Sequence, residues 1–303
     1  MARGAVILFI MRNHFRILTA TLLASAGLAW GAPDSSSGAA LHARYGEFKN
    51  KLEHNAFGRP LHLVSSEGSK ELAGDVYGVL DYPFALVEKS FTEPGNWCDV
   101  LILPFNTKHC RASGADSGKT LAVRIGRKAD QPAEQAYPID FKYRVTARAD
   151  DYFRTLLKSD NGPLGTHDYQ IVLEATPIDD KHTFIHLGYS YGFGMMSKLA
   201  MQAYLGTVGA SKVGFTVTGR DAQGQAKHVG GMLGATERNT MRYFLAIDAY
   251  LRSLEAPGEQ RVQKRLGDWF AATERYSRQL HEMDRGEYLA MKEKETKRVG
   301  VAL

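Results

Sequence analysis

Several things are scarce in this sequence, and each scarcity excludes something. Two cysteines in 303 residues are too few for a disulfide-knit scaffold, and their C-x11-C spacing fits no usual metal or redox motif. The longest apolar run, residues 17–28, is about 12 residues, short of the roughly 20 that span a bilayer as a helix. There is no concentrated basic stripe, because basic and acidic residues interleave until the extreme C-terminus, so nucleic-acid binding is not expected. Internal repeats are absent, and the one low-complexity tract is the serine run at 35–37.

What is present begins with an export signal. Residues 1–31 carry Arg3, Arg12 and Arg16 and no acid, then the apolar run, then small residues at 26–32. This is the n-region, h-region and cleavage pattern of a secretory signal peptide. Cleavage is expected after Gly31, with Ala26 as the alternative, and Met11 offers a second plausible start. Losing three arginines takes the formal charge from +5 to about +2, and the mature chain is expected to be soluble in the periplasm. In that oxidising compartment Cys98 and Cys110 are expected to pair. Closing so short a loop stabilises by roughly 3 kcal/mol; the alternative is two buried thiols.

Residues 33–40 read as a flexible linker, 41–52 as a short helix and 60–66 as a strand. Val76, Val79, Leu80, Phe84, Val87 and Phe91 have helix-like spacing broken at Pro83, followed by a turn at 93–96. Strict period two then marks strands at Leu121–Val123–Ile125, at Ile139–Phe141–Tyr143–Val145–Ala147, at Tyr169–Ile171–Leu173–Ala175 and at Ile185–Leu187–Tyr189–Tyr191–Phe193. One dry and one wet face per strand indicates an antiparallel sheet packed on one side. Residues 195–205 read as a helix, and Val213, Phe215 and Val217 as a further strand. Thr236 is placed to cap a long helix ending near Leu254. An amphipathic helix follows, with Val262, Leu266, Trp269, Phe270, Thr273, Tyr276 and Leu280 on one side. The charged run 292–298 reads as a solvated helix end, with transient membrane-surface contact as the alternative.

The fold class is therefore α+β. A helix, a meandering antiparallel sheet and a long helix, in that order, resemble the helix-grip architecture of the START-like superfamily of lipid and hydrophobic-ligand binding domains. The resemblance spans 58–255, after a signal (1–31) and a linker with a short helix (32–57), and before a C-terminal helical extension (256–303). Residues 75–86 (DVYGVLDYPFAL), Trp97-Cys98, 212–215 (KVGF) and 237–243 (ERNTMRY) also resemble a group of uncharacterised exported bacterial proteins. The resemblance implies a curved sheet wrapped around the long helix with a cavity between them. Phe141, Tyr143, Tyr189, Tyr191 and Phe215 from the sheet, and Met241 and Phe244 from the helix, are then candidates to touch a ligand. Ordinary core packing is the alternative for each. Such a tyrosine-rich lining suits an amphipathic molecule.

Catalytic signals are sparse. Gly188-Tyr189-Ser190-Tyr191-Gly192 fits the G-x-S-x-G nucleophile elbow, and Asp221 with His228, or Asp248 with His281, would supply acid and base in the right chain order. Against this, period two continues through Ser190 with no sharp bend. His182 and His186 share a strand face, but no third ligand completes a metal site. His167, Asp168 and Glu174 are suited to acid–base work without anything singling them out. The glycines at 230, 231 and 234, with Arg238 and Arg242 nearby, suit either a tight turn or a hold on a lipid headgroup or carboxylate. The resulting expectation is non-catalytic binding of a hydrophobic, lipid-like or amphipathic small molecule, with no cofactor and no metal. A serine hydrolase or cyclase-like enzyme is the alternative, and the 259–282 helix is a candidate surface for an unidentified protein partner.

Overall fold

The computed structural model describes residues 37–114, 118–207 and 211–300. The signal segment, both cleavage positions and most of the linker lie outside the described residues. The first half of the chain forms α1 (Gly38–Glu53), β1 (Leu61–Glu67), β2 (Glu71–Leu80), α2 (Phe84–Phe91), α3 (Pro94–Leu101), β3 (Thr107–Ser113), β4 (Thr120–Ile125) and β5 (Tyr137–Ala149). There follow β6 (Tyr152–Asn161), β7 (His167–Pro177), β8 (Thr183–Gly192), α4 (Met195–Thr207), β9 (Val217–Arg220), β10 (Ala226–His228), α5 (Gly231–Ser253), α6 (Arg261–Glu274), α7 (Ser277–Leu280) and α8 (Arg285–Thr296).

One curved eight-stranded sheet has the order β1-β2-β8-β7-β6-β5-β4-β3, and every neighbouring pair is antiparallel. Because β2 lies beside β8, α2 and α3 carry the chain across to the far edge, where β3 starts the meander. The long helix α5 packs against β1, β2 and β8, with Met241, Phe244, Leu245 and Ile247 fully buried. This is the α+β helix-grip arrangement. All described residues fall within one compact unit, Pro33–Leu303.

Two glycines let the helix come close. A Cβ at Gly78 would lie 2.8 Å from Cε2 of Phe244, and one at Gly74 would collide with the Thr240 hydroxyl. Cys98 on α3 and Cys110 on β3 form the expected disulfide, with Cα atoms 5.2 Å apart. It ties the crossover helices to the edge strand.

Several sequence expectations need correcting. Residues 71–80 form a strand, since Leu72, Val76 and Leu80 are buried on one face with Gly74 and Gly78 between them; spacing of four satisfies a two-residue period as well as a helical one. The turn at 93–96 is the first turn of α3, with Pro94 at its start. Helix α1 begins at Gly38, capped by the Ser37 hydroxyl accepting from Ala40 N at 3.2 Å, so the linker ends earlier than residue 40. The β5 row is buried only as far as Tyr143. A bulge between Val145 and Ala147 breaks the register, leaving Val145 exposed and Ala147 packed in a second small core under α1.

The segment 212–216 is not a strand. It is a loop clasped by the buried Glu237 carboxylate, which accepts from Phe215 N at 2.5 Å, Thr216 N at 2.9 Å, and the Thr216 and Ser65 hydroxyls at 2.6 Å. Thr236 does not cap α5. The helix starts five residues earlier at Gly231, with Gly230 as its N-cap, and the Thr236 hydroxyl donates to Met232 O inside it. The C-terminal amphipathic stretch divides into α6 and α7, and its apolar side, including Leu266, Trp269, Phe270 and Leu280, joins the main core. Lys292 is buried rather than solvated, donating to Thr107 O at 2.7 Å and Glu295 at 2.6 Å.

Candidate functional site

Between the inner sheet face and α5 lies a cavity of about 140 Å³. Its strand wall is apolar and aromatic, formed by Val123 and Ile125 of β4, Ile139 and Phe141 of β5, Tyr169 of β7 and Tyr189 of β8. Alternation aims these side chains at one face. The helix wall is Asn239, Arg242 and Tyr243, and the end near α3 is closed by Leu101, Pro104, Asn106 and Thr107. The space thus has an apolar strand wall and a polar helix wall.

The tyrosines form a connected cluster. Tyr169 stacks on Tyr191 with centroids 5.2 Å apart, and Tyr189 contacts Tyr243 at 5.4 Å. The Tyr169 hydroxyl pairs with that of Thr166 at 2.8 Å. Burial pushes the phenols of Tyr169 and Tyr189 well up and that of Tyr243 up to about 12, so all three stay neutral near pH 7.

Of the seven sequence candidates, Phe141 and Tyr189 line this cavity. Tyr143 is outside the lining, its hydroxyl donating to Phe91 O at 2.9 Å, and Tyr191 backs the cluster with its hydroxyl 3.4 Å from that of Thr236. Met241 and Phe244 are solid core. Phe215 lies off the sheet, against Phe57 and Tyr276 at 5.6 and 5.7 Å. Sequence reasoning missed Tyr169, Asn239 and Tyr243 as lining residues, although Tyr169 heads a recognised strand row and the other two fall within the segment 237–243 singled out above.

Arg242, on the helix wall, also belongs to a charge cluster outside the cavity lining. Glu282, between α7 and α8, accepts from Arg242 at 2.5 Å and from Lys128 at 2.6 Å, with Lys212 at 3.7 Å. Burial disfavours ionisation of Glu282, but Arg242, Lys128 and Lys212 outweigh it and hold its carboxyl below the usual range. Burial and the Arg242 charge push Lys128 down to about 8.

The G-x-S-x-G segment forms no elbow. Ser190 lies within β8, two residues before its end, on the outer face, paired with Ala73 of β2 and Gln170 of β7. The proposed acids and bases have other partners: Asp221 caps a turn, His228 meets Phe215 O, Asp248 pairs with Arg59 and Arg252, and His281 with Glu274. The glycines before α5 serve a tight turn: Gly231 has φ +60°, and a Cβ at Gly234 would lie 2.8 Å from Val229 O.

On the outer face, α1 covers a groove of about 560 Å³ containing a charge cluster. His186 meets Glu174 through Nδ1 and Asp75 through Nε2, both at 2.7 Å, and the Tyr152 hydroxyl donates to Glu174 at 2.5 Å. With carboxylates on both sides, both ring nitrogens donate, so the group is an imidazolium. Burial opposes its charge, but the Asp75 and Glu174 bonds prevail and push it up to about 9. It is therefore no base at neutral pH. His182 is tied to Asp179 at 2.8 Å and does not join it. His167 pairs with Asp168 at 2.8 Å on the surface. Among the described residues, no group of three or more His, Cys, Asp or Glu is placed to hold a metal ion.

No protein-family model and no curated protein matches this chain. Among solved structures, similar ones include human StAR-related lipid transfer protein 5, at 10% identity over 72% of this chain and 98% of that one, TM-score 0.36. Norcoclaurine synthase from Thalictrum flavum is similar at 14% identity over 48% and 91%, TM-score 0.34. A conserved protein from Geobacillus kaustophilus is similar at 17% identity over 60% and 95%, TM-score 0.34.

Proposed function

We propose that this protein binds one small, partly apolar molecule between the sheet and α5, and holds it without chemistry outside the cytoplasm. The cavity carries this reading. Its 140 Å³ resembles in size the roughly 150 Å³ engineered cavity that accepts benzene and falls below the roughly 300 Å³ where drug-sized sites begin. A single ring or short chain fits; a whole membrane lipid would need α5 to move off the sheet. Neutral tyrosines, amides and one arginine suit recognition better than proton transfer. The Cys98–Cys110 disulfide accords with an oxidising compartment, as does the signal pattern in the sequence.

Native mass spectrometry of mature protein purified from periplasm, followed by denaturation and extraction, tests the reading. A defined co-purifying small molecule, or saturable uptake of indole by protein that is isolated empty, is the expected result. Phe141→Trp, which fills the cavity, should abolish uptake. A folded protein that binds neither endogenous ligand nor ring-sized probes would overturn it.

A further inference from the structure

Arg242, on the helix wall of the cavity, is one of three cations that converge on a single carboxylate. Arg242 from α5, Lys128 from the β4–β5 loop and Lys212 from the loop before β9 meet at one carboxylate, Glu282. Among the described residues it is the only carboxylate within ion-pair distance of any of the three. Three cations face one anion; Lys128 and Lys212 keep 33% and 25% of their side chains in water, so the excess charge is costly chiefly at the buried Arg242. Arg238, one turn earlier on α5, adds its repulsion at Lys128.

Arg242 is the member of this group that lines the cavity. It is 3% exposed. Its Nη2 is used by Glu282 and, at 3.4 Å, by Leu280 O, and its Nη1 reaches Asn239 Oδ1 at 3.4 Å. Its Nε is buried with no partner. Most buried polar atoms are paired, so this donor leaves a hydrogen bond for a ligand to complete; Arg59 Nε is in the same state elsewhere in the molecule.

We infer that the cavity takes an anionic ligand, a small ring-bearing carboxylate whose apolar part lies against Phe141 and Tyr189 and whose carboxylate is received by Arg242. This rests on the small-molecule reading above. Glu282 then acts as an internal counter-anion: it holds the cations in place in the empty protein and shares them with the ligand when it binds.

Benzoate and benzamide differ little in size and shape but differ in charge, and their affinities for the full mature chain can be compared by calorimetry at pH 7. Benzoate is expected to bind at least tenfold tighter. Glu282→Gln should raise benzoate affinity severalfold and change benzamide affinity by less, and Phe141→Trp should abolish binding of both. Equal affinities, or preference for benzamide, would overturn the anionic inference while leaving the cavity reading intact. A benzoate preference that Glu282→Gln leaves unaltered would place the anion elsewhere and also overturn it. Failure of both probes to bind would remove the two readings together. The wild-type comparison needs no variant to fold.

Discussion

The imidazole of His186 lies flat against the ring of Tyr77, with centroids 4.5 Å apart and planes 9° apart. Its edges are held by Asp75 and Glu174, so the charged ring joins β2, β7 and β8 beneath α1.

This cluster should make stability fall at high pH. The folded-state value of about 9 stands above the ordinary 6.5, so the contribution is fully present below about pH 6.5 and is lost as pH rises through about 9. It amounts to roughly 3 kcal/mol. Lys128 and Lys292, both pushed down to about 8, work in the opposite direction, since raising the pH relieves their buried charge. Urea midpoints of the wild type and His186→Gln between pH 6 and pH 10 isolate the histidine. The wild type should lose more stability over that range, and parallel profiles would count against the ion cluster.

The C-terminal helices belong to the core. Trp269 and Tyr288 pack on Phe105 at 5.0 and 5.3 Å, and the Trp269 indole donates to Arg242 O at 3.1 Å. Removing residues 257–303 should therefore leave an unfolded or aggregating product, because it strips several fully buried side chains at once. Circular dichroism and size exclusion would show this; a monomeric, cooperatively melting fragment would mean that the helices are dispensable.

At Gly78 any side chain should be destabilising. The ring of Phe244 cannot give way easily, being fully buried with Arg59 packed at 4.8 Å over its face. Gly78→Ala should cost about 1–3 kcal/mol, and Phe244→Leu in the same chain should recover part of it. Thermal melts of the two single variants and the double variant would reveal the coupling, and strict additivity would argue against the contact.

The strand rows beginning at Leu121, Ile139, Tyr169 and Ile185 were legible because alternation follows directly from which face is buried. Strands β3 and β6 were not identified. In β3, Thr107, Lys108, His109 and Cys110 are buried in succession, which erases the alternation, and the β6 pattern gave no clear row to read from residue types alone. The cavity was legible in part: Phe141 and Tyr189 line it, whereas Tyr143, on the same β5 row as Phe141, bonds to Phe91 O, and Met241 and Phe244 are packed in the core on α5. Nothing in the sequence distinguishes a ring that touches a neighbour from one that touches a void.

By itself the sequence determined the α+β class, the antiparallel sheet with a long helix after it, and the proximity of two cysteines twelve positions apart. These depend on local periodicity and short chain separation. Only the tertiary structure decided that Lys128, Lys212, Arg242 and Glu282 meet, that His186 lies between two carboxylates, and that Ser190 faces away from the cavity. Those relations join residues up to about 150 positions apart, and they are fixed by strand order and helix docking, which no local spacing encodes.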